Sequence, residues 1–152
     1  MTALEKTFSV KHIICLLGNR NFADFEFRNG CAYVYSREAG ELVIEAPDGH
    51  IPDGLAKRAV DVLDRLDEYT EKAQSLLGDV KIDLETYPHA LDKGFRIYGI
   101  YFGHYSWGDS DDPVTEEGFA MTFTTVGFYP LDFTVKFHYR DMRPVTLEVW
   151  GS

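Results

Sequence analysis

Hydrophobic and polar residues alternate with a period of two on both sides of Asn29-Gly30, and that dipeptide is the strongest local signal in the chain. A two-residue type I′ turn needs positive φ at both central positions, which Asn-Gly adopts at little cost. It predicts a hairpin in which Arg28 faces Cys31, Phe27 faces Ala32, Glu26 faces Tyr33 and Phe25 faces Val34. Phe25, Phe27, Ala32 and Val34 then share the face expected to meet the core, with Glu26, Arg28, Cys31 and Tyr33 on the other. Upstream, Phe8, Val10, Ile14 and Leu16 alternate as in a strand, while Leu4 and Phe8 also suit a short helix, so segment 4–17 stays open between the two. Downstream, Leu42 to Ala46 reads as a strand closed by the turn residues Pro47-Asp48-Gly49.

The period then changes. From about Asp53 to Leu77 the pattern predicts one helix, entered at Pro52-Asp53 and stopped by Gly78. Advancing about 100° per residue, Ala59, Val62, Leu66, Tyr69, Ala73 and Leu77 fall within about 40° of Leu55 and form an apolar stripe. Asp61, Asp64, Asp67, Glu68 and Glu71 fall on the opposite side as an acidic ridge. Asp61 with Arg65 and Glu68 with Lys72 are favourable i,i+4 pairs, whereas Asp64 with Glu68 and Asp67 with Glu71 repel.

Alternation returns beyond the helix. Val80, Ile82 and Leu84 read as a strand with one buried face, and Phe95 to Phe102, apolar on both alternations, as a central strand covered on both sides. Phe119, Met121 and Phe123 alternate with Ala120, Thr122 and Thr124. A second hairpin carries Phe133, Val135, Phe137 and Tyr139 on one face, turns around Asp141 to Pro144, and returns through Val145, Leu147 and Val149. The expectation is a single α+β domain over residues 1–152. Its sheet is mainly antiparallel, of about 6–9 strands, with one long amphipathic helix packed on it.

Composition narrows the function. The chain holds 15 Lys and Arg against 25 Asp and Glu, a formal charge of −10, the wrong sign for a protein that displaces counterions from nucleic-acid phosphates. Its longest apolar run, Ile13 to Leu17, falls far short of the roughly 20 residues of a membrane span. The first residues lack the layout of a secretion signal, so a reducing cytoplasm is expected, with Cys15 and Cys31 as buried or half-buried thiols.

Candidate chemistry is sparse. Ser106, between Gly103 and Gly108, lacks the glycine spacing of a nucleophile elbow, since position 104 is His. Asp109, Asp111 and Asp112 with Glu116 or Glu117 cluster carboxylates, but a calcium loop counted from Asp109 would place Val114 at its glycine position and Ala120 at its terminal glutamate. His12, His50, His89, His104 and His138 show no metal-ligand spacing. His138 shares a strand face with Lys136 and Arg140, which points to the surface. A Cys-His pair formed in space stays open. No catalytic residue, cofactor or metal is assigned, and the expectation leans away from an enzyme.

The charge distribution is more informative. The 39 residues 97–135 contain no Lys or Arg but six acids, Asp109, Asp111, Asp112, Glu116, Glu117 and Asp132, so −6 of the charge lies there. They are interleaved with Tyr105, Trp107, Phe119, Phe128 and Tyr129. Negative charge beside aromatic anchors suits a basic protein partner, because charge speeds encounter and an aromatic ring supplies desolvated contact. The expected partner-binding residues are therefore Tyr105, Trp107, Asp109, Asp111, Asp112, Glu116 and Glu117 in a 105–117 loop, with the ridge residues Asp64, Asp67, Glu68 and Glu71.

The plan of a β-rich first half, one amphipathic helix preceded by Pro, and closing strands through Phe133-Thr134-Val135-Lys136-Phe137 and Val145-Thr146-Leu147-Glu148-Val149 resembles small acidic bacterial proteins of the toxin-immunity or uncharacterised-domain type. The resemblance implies a cytoplasmic protein that neutralises a basic toxin by binding it. It carries over no functional residue. Two other readings remain: a small ligand-binding or enzymatic domain with a pocket between helix and sheet, and a housekeeping domain whose acidity only serves solubility.

Overall fold

The computed structural model describes residues 6–77, 94–107, 114–125, 131–139 and 144–151. A two-residue strand β1, Thr7–Phe8, leads into helix α1, Val10–Gly18, whose N-terminus is capped by Ser9 Oγ accepting from the His12 N–H at 3.2 Å. The segment left open by the sequence is thus mostly helix. Its apolar doublets Ile13-Ile14 and Leu16-Leu17 fit a 3.6-residue period, and Ile13, Leu16 and Leu17 are buried together.

Strands β2, Glu26–Arg28, and β3, Cys31–Ser36, form the expected hairpin in the expected register, with Asn29 at φ 54° and Gly30 at φ 73°. Phe25, Ala32 and Val34 are buried, but Phe27 is 37% exposed. β2 is a three-residue edge strand with no neighbour on its outer side among the described residues, so nothing described closes over Phe27. β1 and β2 share the same edge of β3, parallel and antiparallel respectively. Strand β4, Gly40–Glu45, follows antiparallel to β3, and the next turn closes with the Gly49 N–H donating to the Ala46 carbonyl.

The single long helix of the sequence reading is two. Helix α2, Asp53–Asp64, and helix α3, Leu66–Leu77, are separated by Arg65, at φ −114° and ψ 32°. Neither Gly nor Pro lies at the break, and the charges favour it only on the α3 side. Asp64 lies at the C-terminal end of α2, where the helix dipole disfavours an anion, whereas Asp67 and Glu68 occupy the first turn of α3, where it favours one. The stripe holds on both sides: Leu55, Ala59, Val62, Tyr69, Ala73 and Leu77 are buried, with Leu66 packed against the same core. The described part of α3 ends at Leu77, while Gly78 and the strand expected at Val80, Ile82 and Leu84 lie outside the described residues.

Strands β5, Phe95–Trp107, β6, Val114–Thr125, β7, Leu131–His138, and β8, Pro144–Gly151, complete an eight-stranded sheet ordered β1-β3-β4-β5-β6-β7-β8, with β2 also paired to β3. The fold is α+β, but the sheet is mixed rather than mainly antiparallel. β1 runs parallel to β3 and β4 parallel to β5, each pair joined across helices. Alternation reveals strands and tight hairpins but not the sense of strands joined at a distance. The two closing strands pair antiparallel, Val135 with Leu147 and Phe133 with Val149; of the turn expected around Asp141 to Pro144, Pro144 begins β8 and residues 140–143 lie outside the described set. In β5, Ile97 pairs with Phe123 and Gly99 with Thr122, so Tyr98 is an extra residue in a bulge and stands 62% exposed.

The helices cover one face of the sheet. Phe102, Phe119, Phe123, Phe133 and Phe137 point into that layer and are fully buried with Tyr69. Phe119 stacks on Phe137 at 4.5 Å, and Tyr69 from α3 meets both rings edge-on at 5.3 and 5.9 Å. Truncating any of these rings to Ala would cost about 3–5 kcal/mol. The Tyr69 hydroxyl, enclosed by this cluster, has no hydrogen-bond partner among the described residues.

Candidate functional site

The break at Arg65 has a geometric consequence. α1 packs against α2, with Leu17 and Arg20 near Asp53 and Ala56 at one end and Val10 and Ile14 near the break at the other. Between the first turns of α1 and the α2–α3 junction lies an open cleft of about 480 Å³. Val10, Ile14 and Leu66, all half-buried, and the buried Leu63 form its apolar floor.

Charges surround that floor. The carboxylates lining the cleft are Glu38, Asp64, Asp67 and Glu68, and the cations are Lys11 and Arg65. Two of the acids already have work. Glu38 accepts the Val10 N–H at 2.8 Å and so caps α1. Glu68 takes both the Arg65 Nε at 2.7 Å and its Nη2 at 3.1 Å, and lies 3.6 Å from Lys72. The Arg65 hydrogen bond holds the Glu68 carboxyl below its ordinary value. Arg65 also reaches back to Asp61 at 3.6 Å, so one guanidinium ties the two helices across their break. Asp64 and Asp67 are exposed and have no cation partner among the described residues.

Of the residues nominated from sequence, Asp64, Asp67 and Glu68 therefore meet at one rim, and Glu71 is exposed farther along α3. The other group is arranged differently from expectation. Residues 105–107 and 114–117 are not loop but the ends of β5 and β6, with Tyr105 opposite Glu116 and Trp107 opposite Val114. Asp109, Asp111 and Asp112 lie outside the described residues. Glu117 is engaged by Arg58 of α2 at 2.9 Å, and the same guanidinium sits over the Tyr139 ring at 4.7 Å. Ser106 pairs with Thr115 as the penultimate residue of β5.

A second polar cluster lies at the junction of β4 and β5, and no sequence motif announces it. Glu45 accepts from the Tyr101 hydroxyl at 2.5 Å and from the His104 N–H at 2.6 Å through one oxygen; its other oxygen lies 2.8 Å from His104 Nδ1. Gly103 makes room for it, because a Cβ there would overlap the Glu45 side chain. Partial burial works against the charged carboxylate, but the His104 ring, the Tyr101 hydroxyl and the His104 N–H outweigh it and hold Glu45 below its ordinary range. Burial, then the bond to Glu45, pushes the Tyr101 hydroxyl well above its usual value. Burial and the Glu45 charge likewise push the Cys31 thiol up, which disfavours the thiolate a nucleophile requires.

Other single-residue expectations are corrected. His138 is 8% exposed, because β7 is flanked by β6 and β8 and the residue is enclosed rather than presented. Cys15 is exposed, lying on the outer side of α1 away from Ile13 and Leu17. Both cysteines are free thiols. Among the described residues, no group of three His, Cys, Asp or Glu is placed to hold a metal ion, and no helix is long and apolar enough to cross a membrane. The cleft itself lies between helices, not between helix and sheet. Comparison of the chain with family models, curated proteins and solved structures returned no match.

Proposed function

We propose that this chain is a non-enzymatic acidic binding protein of the immunity or inhibitor kind, which captures a basic protein partner in the cytoplasm through the face formed by α1 and the α2–α3 junction. One observation carries the reading. Asp64 and Asp67 stand without cation partners among the described residues at the rim of a cleft whose floor is apolar, so a surface with unspent negative charge coincides with one offering hydrophobic contact. Exposed charge accelerates encounter and sets the sign of the partner, while desolvated apolar contact supplies most of the residence time. The overall charge of −10 repels other acidic proteins and favours a basic one.

The 105–117 segment belongs to the proposal in a reduced role. Glu117 is already paired with Arg58, which leaves Tyr105, Trp107, Asp109, Asp111, Asp112 and Glu116 as the segment that would extend the contact. The test is calorimetric titration against the product of the adjacent gene at about 50 mM and about 500 mM salt, with Asp64→Lys/Asp67→Lys alongside the wild type. Binding that weakens with salt and with charge reversal supports the reading; affinity indifferent to both refutes it.

A further inference from the structure

The cleft is more specific than a negatively charged surface needs to be, and its asymmetry describes an occupant. Among its lining residues Lys11 projects from the α1 side, while Asp64 and Asp67 lie on the α2–α3 side, flanking Arg65. Lys11 is exposed, and no carboxylate pairs with it among the described residues. The two rims therefore carry opposite unspent charges, with two acids against one base. Glu38 and Glu68 keep their charges but are engaged, the first by the Val10 N–H at the start of α1 and the second by Arg65 and Lys72, which leaves Asp64, Asp67 and Lys11 as the groups open to an occupant. Between the rims, Val10, Ile14, Leu63 and Leu66 offer only carbon to whatever enters.

We infer that the cleft docks a peptide segment of the partner protein that inserts one large aliphatic or aromatic side chain against these four residues and places a Lys or Arg beside Asp64 and Asp67. Resting on the reading of the chain as a binder of basic proteins, this adds an anchor and an orientation to it. The volume of about 480 Å³ exceeds one apolar side chain, so backbone of the docking segment enters with its anchor. The cation lies on the helix-junction side because Lys11 would repel it from the other. Small cations such as polyamines would satisfy the acids but leave the apolar floor wet, so they bind more weakly than a segment that does both.

The experiment is nuclear magnetic resonance titration of the isotope-labelled full chain with synthetic peptides. One carries Leu followed three and four residues later by Lys, one has that Leu replaced by Gly, and polylysine supplies charge alone. Shifts centred on Val10, Ile14, Leu63 and Leu66 with the Leu peptide, reduced about tenfold in affinity by the Gly replacement and by Asp64→Lys/Asp67→Lys, are expected. Lys11→Glu is expected to strengthen binding about threefold or more, since it removes the repelling rim. Equal binding of all three probes, sensitive to charge reversal, overturns the anchored cleft and leaves the basic-partner reading standing. Absence of binding by every probe overturns both. All the altered side chains are exposed, so the folded state is preserved.

Discussion

Removing the Glu45 carboxylate tests whether the β4–β5 junction is held by the cluster described above. In Glu45→Ala the Tyr101 hydroxyl, the His104 N–H and the His104 ring all lose their acceptor. Hydrogen bonds to a charged group each contribute about 1.5–3 kcal/mol, and the exposed His104 ring can be rehydrated, so the net loss is about 3 kcal/mol. With a urea slope of about 2 kcal/mol/M for a chain of this size, the unfolding midpoint should fall by about 1.5 M. Glu45→Gln separates charge from shape, because its amide oxygen can still accept from Tyr101 and His104 N–H while its NH₂ faces His104 Nδ1, and about 1–2 kcal/mol should be lost. The pH dependence adds a second check. Since the Glu45 carboxyl titrates below its ordinary value in the folded chain, its stabilisation is complete above the unfolded carboxylate range and disappears as pH falls through the lower native value. The gap between wild type and Glu45→Gln should therefore shrink under acid. A loss below about 0.5 kcal/mol in Glu45→Ala, or a gap constant into strong acid, would refute the reasoning.

Other outcomes follow from the same contacts. Gly103→Ala should destabilise by about 2 kcal/mol or more and cost distinctly less in a Glu45→Ala background, because the overlap with the carboxylate is then gone; additive costs in a double-mutant cycle would contradict this. Tyr69→Phe should raise stability by about 1 kcal/mol, since it removes a buried hydroxyl that has no partner among the described residues while keeping the ring contacts with Phe119 and Phe137; a lower melting temperature would count against it. Arg65→Ala loses its exposed ion pairs with Asp61 and Glu68 and a place over the Tyr69 ring, and should lower the melting temperature only slightly; a large drop would contradict this.

The sequence was most legible where one local rule decides the outcome. Asn29-Gly30 set the hairpin register, and the stripe from Leu55 to Leu77 is buried at the positions its periodicity indicated. It was least legible where two distant parts meet. The parallel pairing of β4 with β5 joins residues separated by the helices, and nothing in either strand's alternation encodes that sense. The Glu45 cluster depends on this pairing, since Glu45 and His104 lie 59 positions apart. Gly103, one of two glycines in an otherwise bulky strand, was the signal available. The helix break was hidden for a different reason. A one-residue departure leaves the wheel almost intact, so only Asp67 and Glu68, acids suited to the first turn of a helix, mark it. The acids of the ridge were legible as a surface, but the cleft beside them required α1, whose helical state the pattern left open.

Capture of a basic partner through the α1 and α2–α3 face is tested most directly by hydrogen–deuterium exchange on the complex with that partner. Slowed exchange concentrated at residues 10–14 and 63–68, and lost when Asp64 and Asp67 are reversed to Lys, is the expected result. Protection confined to other surfaces, with these two segments exchanging as in the free chain, would contradict the account.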